Sequence, residues 1–149
     1  KVQTVTAILN KAMKSVHLHF PHLEVSLKVE PEAECVLADK DRMTQVFVNI
    51  LENAARYNDK EKPTCNVRSE KIDDSVVISF SDNGIGVSEK HLSKIFDSFY
   101  QVDMGSGRKV GGTGLGLSIC RGIMAAHGGK IWAEQNPKGG TVFKISLSL

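Results

Sequence analysis

The sequence predicts a two-layer α/β sandwich, one mixed sheet covered by three main helices. Three observations predict it. Apolar residues recur at helical spacing in three segments, six shorter runs read as strands, and four of those strands pair as hairpins in the second half. At 149 residues the chain has the length of one ordinary domain with a real hydrophobic core. Its 41% apolar and 24% charged residues are near globular averages.

The elements follow in order. From Gln3 to about His17, Val5, Ile8, Leu9, Ala12, Met13 and Val16 keep helical spacing. Leu23, Val25, Leu27 and Val29 then alternate as a strand stopped by Pro31. "ECVLADKDR" reads as a short strand running into a helix, with Asp39 as N-cap. That helix, about Lys40 to Tyr57, gathers Met43, Val46, Phe47, Ile50, Leu51, Ala54 and Ala55 on one broad arc. Asn49, Asn53 and Arg56 form a narrow stripe at the border of the arc.

"TCNVRSE" and "SVVISFSD" read as a hairpin turning at Lys71–Asp74. "NGIGVSEKHLSKIF" reads as a glycine-rich turn and a short helix capped by Ser88. Asp97 to Gly112 is polar, glycine-rich and aperiodic, which predicts a mobile loop or lid. Thr113 to Ala126 is helical through Leu115, Ile119, Ile123 and Ala126, and is closed by Gly128 and Gly129. "GKIWAEQ" and "GTVFKISLSL", joined by "NPKGG", form a terminal hairpin.

Composition excludes several functions. Lys+Arg 19 against Asp+Glu 17 leaves +2, too balanced to argue for a nucleic-acid surface. No apolar run approaches the ~20 residues of a membrane span. Cys35, Cys65 and Cys120 form no CxxC pair and read as reduced cytosolic thiols, not as a disulfide frame or zinc site. Opening on "KVQTVTAILN", the chain reads as a module excised from a longer protein.

Three motifs carry chemistry. In "GGTGLGLSIC" four glycines precede a helix, although each costs about 0.5–1 kcal/mol relative to alanine in an ordered element. The run fits neither the P-loop nor the G-x-G-x-x-G dinucleotide fingerprint. Free N–H groups and the helix dipole at Thr113–Gly116 favour an anion such as a phosphate; a hinge is the alternative. "DNGIG" places the Asp82 carboxylate at a strand end, where it can accept from an exocyclic amine such as that of adenine. The alternative is an ordinary turn, with Asn83 tolerating left-handed φ. Asn49 and Asn53, spaced i, i+4, offer neutral carbonyl oxygens that suit Mg²⁺, or they are satisfied by neighbouring backbone. Arg56 can neutralise phosphate, and Tyr57 can pack on a sugar or base.

The order of these motifs, with "IFDSFY" and a polar lid between the last two, resembles the ATP-binding catalytic domain of bacterial sensor histidine kinases of two-component systems. The likeness covers essentially the whole chain through the family's N, G1, F and G2 boxes, and the closing hairpin matches too. The resemblance implies the sandwich of the gyrase, chaperone and histidine-kinase ATPases, with ATP and Mg²⁺ as cofactors. It implies Asn53 as principal Mg²⁺ ligand with Asn49 assisting, Arg56 on phosphate and Tyr57 beside the nucleoside. Asp82 reads adenine, with Gly84, Ile85 and Gly86 shaping the pocket and Thr141 beneath the base. Phe96 and Phe99 anchor the base of the lid. Gly112, Thr113, Gly114, Leu115 and Gly116 present backbone to phosphate. Where many members carry Arg after the F-box tyrosine this chain has Gln101, so transition-state charge falls to Arg108 or Lys109.

The implied reaction is transfer of the γ-phosphoryl group to a histidine on a separate dimerisation hairpin, with a response regulator downstream. A related hydrolase of this superfamily needs a glutamate four residues before the metal-binding Asn; here that place holds Asn49, which cannot take a proton. Glu52 points about 100° away from Asn53. None of the five histidines, "HLHFPH" included, sits in an acceptor context. The fragment alone is therefore expected to be monomeric, to bind ATP and to transfer nothing. The expected parent sits at the membrane with this domain facing the cytosol. The alternatives are a related ATPase or serine-kinase anti-sigma factor, and a nucleotide sensor without catalysis.

Overall fold

The computed structural model describes residues 1–98, 100 and 116–148. Seven strands and three α-helices are found among them, together with 3₁₀ turns at Pro31–Ala33 and Glu89–His91. The order is β1 (Val2–Thr4), α1 (Val5–His19), β2 (Glu24–Val29), β3 (Cys35–Leu37), α2 (Lys40–Arg56), β4 (Thr64–Ile72) and β5 (Ser75–Asp82). After these come α3 (Gly116–Ala126), β6 (Lys130–Gln135) and β7 (Thr141–Ser148).

Five strands form one mixed sheet in the order β2-β4-β5-β7-β6. Only β2 and β4 run parallel; every other pairing in this sheet is antiparallel. Their connection passes through β3 and α2, the crossover that a parallel pair requires. β1 and β3 make a separate antiparallel ribbon in which Val2 faces Leu37. The expected α/β architecture is thus observed, with α1, α2 and α3 as its helices.

Local chemistry sets the boundaries. Helical spacing begins at Gln3, but the Thr4 hydroxyl accepts from the Ala7 N–H at 3.1 Å and caps a helix that starts at Val5. Residues 2–4 pair with β3 instead. At the other end α1 runs to His19, because Pro21 disfavours the helical region at Phe20. Asp39 caps α2 as expected, accepting from the Arg42 N–H at 2.9 Å. Ser88 supplies no side-chain cap, and the helix expected after it is only a 3₁₀ turn. α3 closes on Gly128 and Gly129, whose N–H groups donate to Ala125 O and Met124 O.

The core lies between the helices and the inner face of the sheet. Val76, Ile78 and Phe80 of β5 are buried beneath α2, where Phe47 meets Phe80 edge-to-face with ring centroids 5.1 Å apart. α1 and α2 run side by side, with Lys11 pairing to Asp41 and His19 lying 3.9 Å from Glu52. α3 turns a different face inward from the one its spacing predicts. Cys120 and Met124 are buried while Ile119 is 42% exposed, because the inward stripe is set by contact with α2 at Val46 and Asn49.

Replacing Phe47 by alanine empties the centre of this contact and is expected to lower stability by about 3–5 kcal/mol in urea denaturation. A loss under about 1 kcal/mol would contradict the packing described.

Candidate functional site

Four chain segments meet at the C-terminal end of β5. Asp82 is only 6% exposed. Its Oδ1 accepts from the Gly84 N–H at 2.9 Å and from the Thr141 N–H at 3.0 Å. Its backbone carbonyl accepts from Asn136 Nδ2 at 3.1 Å. Burial pushes the carboxyl pKa up, and the Thr141 and Gly84 amides partly offset it. Two donors on one oxygen leave Oδ2 as the acceptor that a ligand amine can use.

The backbone around this carboxylate leaves no room for a side chain. A Cβ on Gly140 would lie 2.1 Å from Asp82 O and 2.6 Å from its Oδ1. A Cβ on Gly84 would lie 2.5 Å from the Tyr57 carbonyl oxygen. That carbonyl accepts from the Ile85 N–H at 3.0 Å, so the end of α2 and the loop after β5 are packed backbone to backbone. Gly86 lies against Gly140, completing the loop-to-turn contact.

Asn83 behaves differently from the sequence expectation. It does not adopt left-handed φ; among the described residues other than glycine, only Asp73 does. Its carboxamide oxygen accepts from Asn58 Nδ2 at 2.7 Å and the Thr64 N–H at 2.9 Å, and its Nδ2 donates to Lys62 O at 3.1 Å. It thereby ties the 58–64 turn to the site.

The second half of the site is built by α2 and α3, which run antiparallel. Asp39 meets His127, Val46 meets Cys120, and Asn49 meets Gly116. Asn49 Nδ2 donates to Gly116 O at 3.4 Å, which holds the first described turn of α3. Its oxygen is left for another partner. Asn53, half-buried one turn further along the same face, makes no side-chain hydrogen bond to a described residue. Two neutral oxygens beside a helix start are a donor set that fits Mg²⁺ carried by a polyphosphate. Arg56 lies over the Phe20 ring, 5.7 Å from its centroid.

Other groups are accounted for by structure. His127 accepts from the Asp39 N–H at 3.1 Å and donates from Nδ1 to Ile123 O at 2.8 Å, so both ring nitrogens are used. His17 bonds Leu23 O, and His91 bonds the Tyr100 hydroxyl. Glu52 faces His19 of α1. Burial raises the Cys65 thiol, with the Asp82 charge adding to it, and pushes Cys120 up to about 11, so neither is a thiolate at neutral pH. Among the described residues no group of three His, Cys, Asp or Glu side chains is placed to hold a metal.

The structure therefore gathers Tyr57, Asp82, Gly84, Ile85, Gly86 and Thr141 in one place, and Asn49, Asn53 and Gly116 in the adjoining one. Phe96 is buried edge-to-face against Phe143, 6.2 Å between centroids, where an anchor for the following segment belongs. Phe99, Arg108, Lys109, Gly112, Thr113, Gly114 and Leu115 lie outside the described residues, as does the expected lid apart from Asp97, Ser98 and Tyr100. Sequence reasoning missed Gly140, Asn83 and Phe20. The doubled glycine directly before Thr141 is the one signal that pointed at Gly140.

Residues 38–149 match the family described as histidine kinase-, DNA gyrase B-, and HSP90-like ATPase. Over 110 residues the chain is 44% identical to the Sensor protein kinase WalK of Staphylococcus haemolyticus, covering 73% of this chain and 18% of that protein. It thus spans less than a fifth of the length of that relative. Among solved structures, the catalytic domain of histidine kinase ThkA is 28% identical with a TM-score of 0.81, covering 99% of this chain and 94% of that one. ThkA has also been solved in complex with the response regulator TrrA. A mycobacterial sensor histidine kinase, MprB, shares the fold at a TM-score of 0.86 and 23% identity, with coverage of 99% and 97%.

The raised Asp82 pKa carries a stability consequence. Above the ordinary aspartate value of 3.8 the unfolded chain gives up this proton more readily than the folded one, so stability falls as pH rises through the folded value. Asp82→Asn removes that titration. In urea unfolding the stability of the variant relative to wild type is expected to rise between pH 4 and pH 7. A difference independent of pH would show that Asp82 does not titrate as described.

Proposed function

The chain belongs to the histidine kinase-, DNA gyrase B- and HSP90-like ATPase family, and from that premise we propose that it binds Mg-ATP as the catalytic domain of a two-component sensor histidine kinase. Its reaction is transfer of the γ-phosphoryl group to a histidine on a separate dimerisation hairpin. The similarity to WalK and ThkA supports this reading over the gyrase and chaperone branches. The observation that carries it is the pairing of a buried carboxylate, Asp82, with the α2 carboxamide stripe that faces the start of α3.

In this reading the residues take the roles that the resemblance implies. Asp82 Oδ2 accepts from the adenine amine, while Gly84, Ile85, Gly86 and Thr141 form the walls around the base and Tyr57 borders the sugar. Asn53 is the principal Mg²⁺ ligand, and Asn49 supports it while holding α3. Bound Mg²⁺ supplies charge neutralisation and alignment of the phosphates. Arg56 adds positive charge on the triphosphate. Because phosphoryl transfer depends on positioning and charge neutralisation, no nucleophile on this domain is needed.

Hydrolysis is disfavoured by two positions. Asn49 stands where a water-activating carboxylate belongs and cannot accept a proton. Glu52 faces His19 of α1, about 100° round the helix from Asn53. The acceptor hairpin, a membrane-anchored parent and a response regulator are the partners this reading implies.

Asn53→Ala is expected to abolish the Mg²⁺ dependence of ATP binding in calorimetry, and unchanged affinity would remove its metal role. Supplied with an acceptor hairpin and labelled ATP, the chain should yield protein-bound label that is acid-labile and base-stable. Steady phosphate release by the chain alone would instead favour the ATPase reading.

A further inference from the structure

We propose that Phe20 is a positioning residue for the triphosphate: its ring is the platform that holds the Arg56 guanidinium, and the pair presents the cation to phosphate. The inference rests on the Mg-ATP reading above and extends it to a residue of α1.

The local sequence explains why the ring is there. Phe20 is the C-cap of α1, with φ −133° and ψ 68°, and its N–H donates to Val16 O at 2.8 Å. Pro21 keeps Phe20 out of the helical region, which turns the chain off the helix axis at this point. Phe20 O accepts from the Leu23 N–H at 3.3 Å, and His17 Nε2 lies 3.0 Å from Leu23 O. These bonds fix the turn, and the ring packs on the edge of the core.

Arg56 reaches this ring from the last turn of α2, with its guanidinium carbon 5.7 Å from the ring centroid. It stands three residues after Asn53, on the same stripe. Among the described residues no carboxylate pairs with it. A guanidinium held over a ring and paired with no described carboxylate keeps N–H donors for phosphate oxygens, which it can grip in pairs. It also restricts a long side chain that would otherwise lose rotamer freedom on binding. A lysine ammonium makes poorer use of the same ring, which gives this chain a physical reason to carry Arg here.

The test measures affinity for Mg-ATP and for adenosine by calorimetry, with thermal melting to confirm folding. Phe20→Leu is expected to weaken Mg-ATP binding by about 2- to 5-fold and to leave adenosine unchanged. Phe20→Trp retains a π face and should restore the affinity. In an Arg56→Met background Phe20→Leu should add no further loss, since the platform then has nothing to hold. Equal losses for ATP and adenosine, or additive losses in the double variant, would overturn the platform alone. No Mg-ATP binding by the wild-type chain would overturn the reading beneath it, and the platform with it.

Discussion

A carboxylate buried at the end of β5 is the constraint on which the rest depends. Asp82 cannot be taken from water without donors, and both of its donors are backbone amides from different parts of the chain. One follows β5 directly; the other begins β7. For both to reach Oδ1, the β5–β7 register must place Val142 opposite Ser81, and the 136–140 turn must pass close enough to touch the aspartate. Glycine at position 140 is what that approach requires. The sheet is therefore more than a scaffold under the site. Its register determines which oxygen is occupied and which is left without these two donors.

The helix layer forms the other half of the candidate site. α2 is buried along one side and presents a polar border on the other, so a single helix serves the core and the site. Its Tyr57 carbonyl meets the loop after Asp82, its Asn49 meets the start of α3, and its Arg56 meets Phe20 of α1. In the proposed reading, an adenine at Asp82 and a polyphosphate at the start of α3 would be set at a distance fixed by one rigid element. That arrangement fits a reaction in which alignment, not a protein nucleophile, lowers the barrier.

Much of this was legible before any coordinates. The arc of Met43, Val46, Phe47, Ile50, Leu51, Ala54 and Ala55 showed α2 because these seven apolar positions repeat at its period, and Asp39 marked its start. The motif residues were readable from their order along the chain. What escaped was set by tertiary contact. Ile119 looked like a core residue by spacing, yet Cys120 and Met124 face α2. Asn83 looked like a turn residue by type, yet its side chain braces the 58–64 segment. Phe20 carried no signal at all, since its contact is with an arginine 36 residues away, in the last turn of a different helix.

The central claim is that adenine and polyphosphate sit at these two ends together. Amide chemical-shift mapping of the chain with Mg²⁺ and a non-hydrolysable ATP analogue tests it most directly. The account predicts the largest changes at the Gly84 and Thr141 amides and at the Asn53 side-chain amide, the last of these only when Mg²⁺ is present. Changes confined to the outer face of the sheet, or none at Gly84 and Thr141, would contradict it.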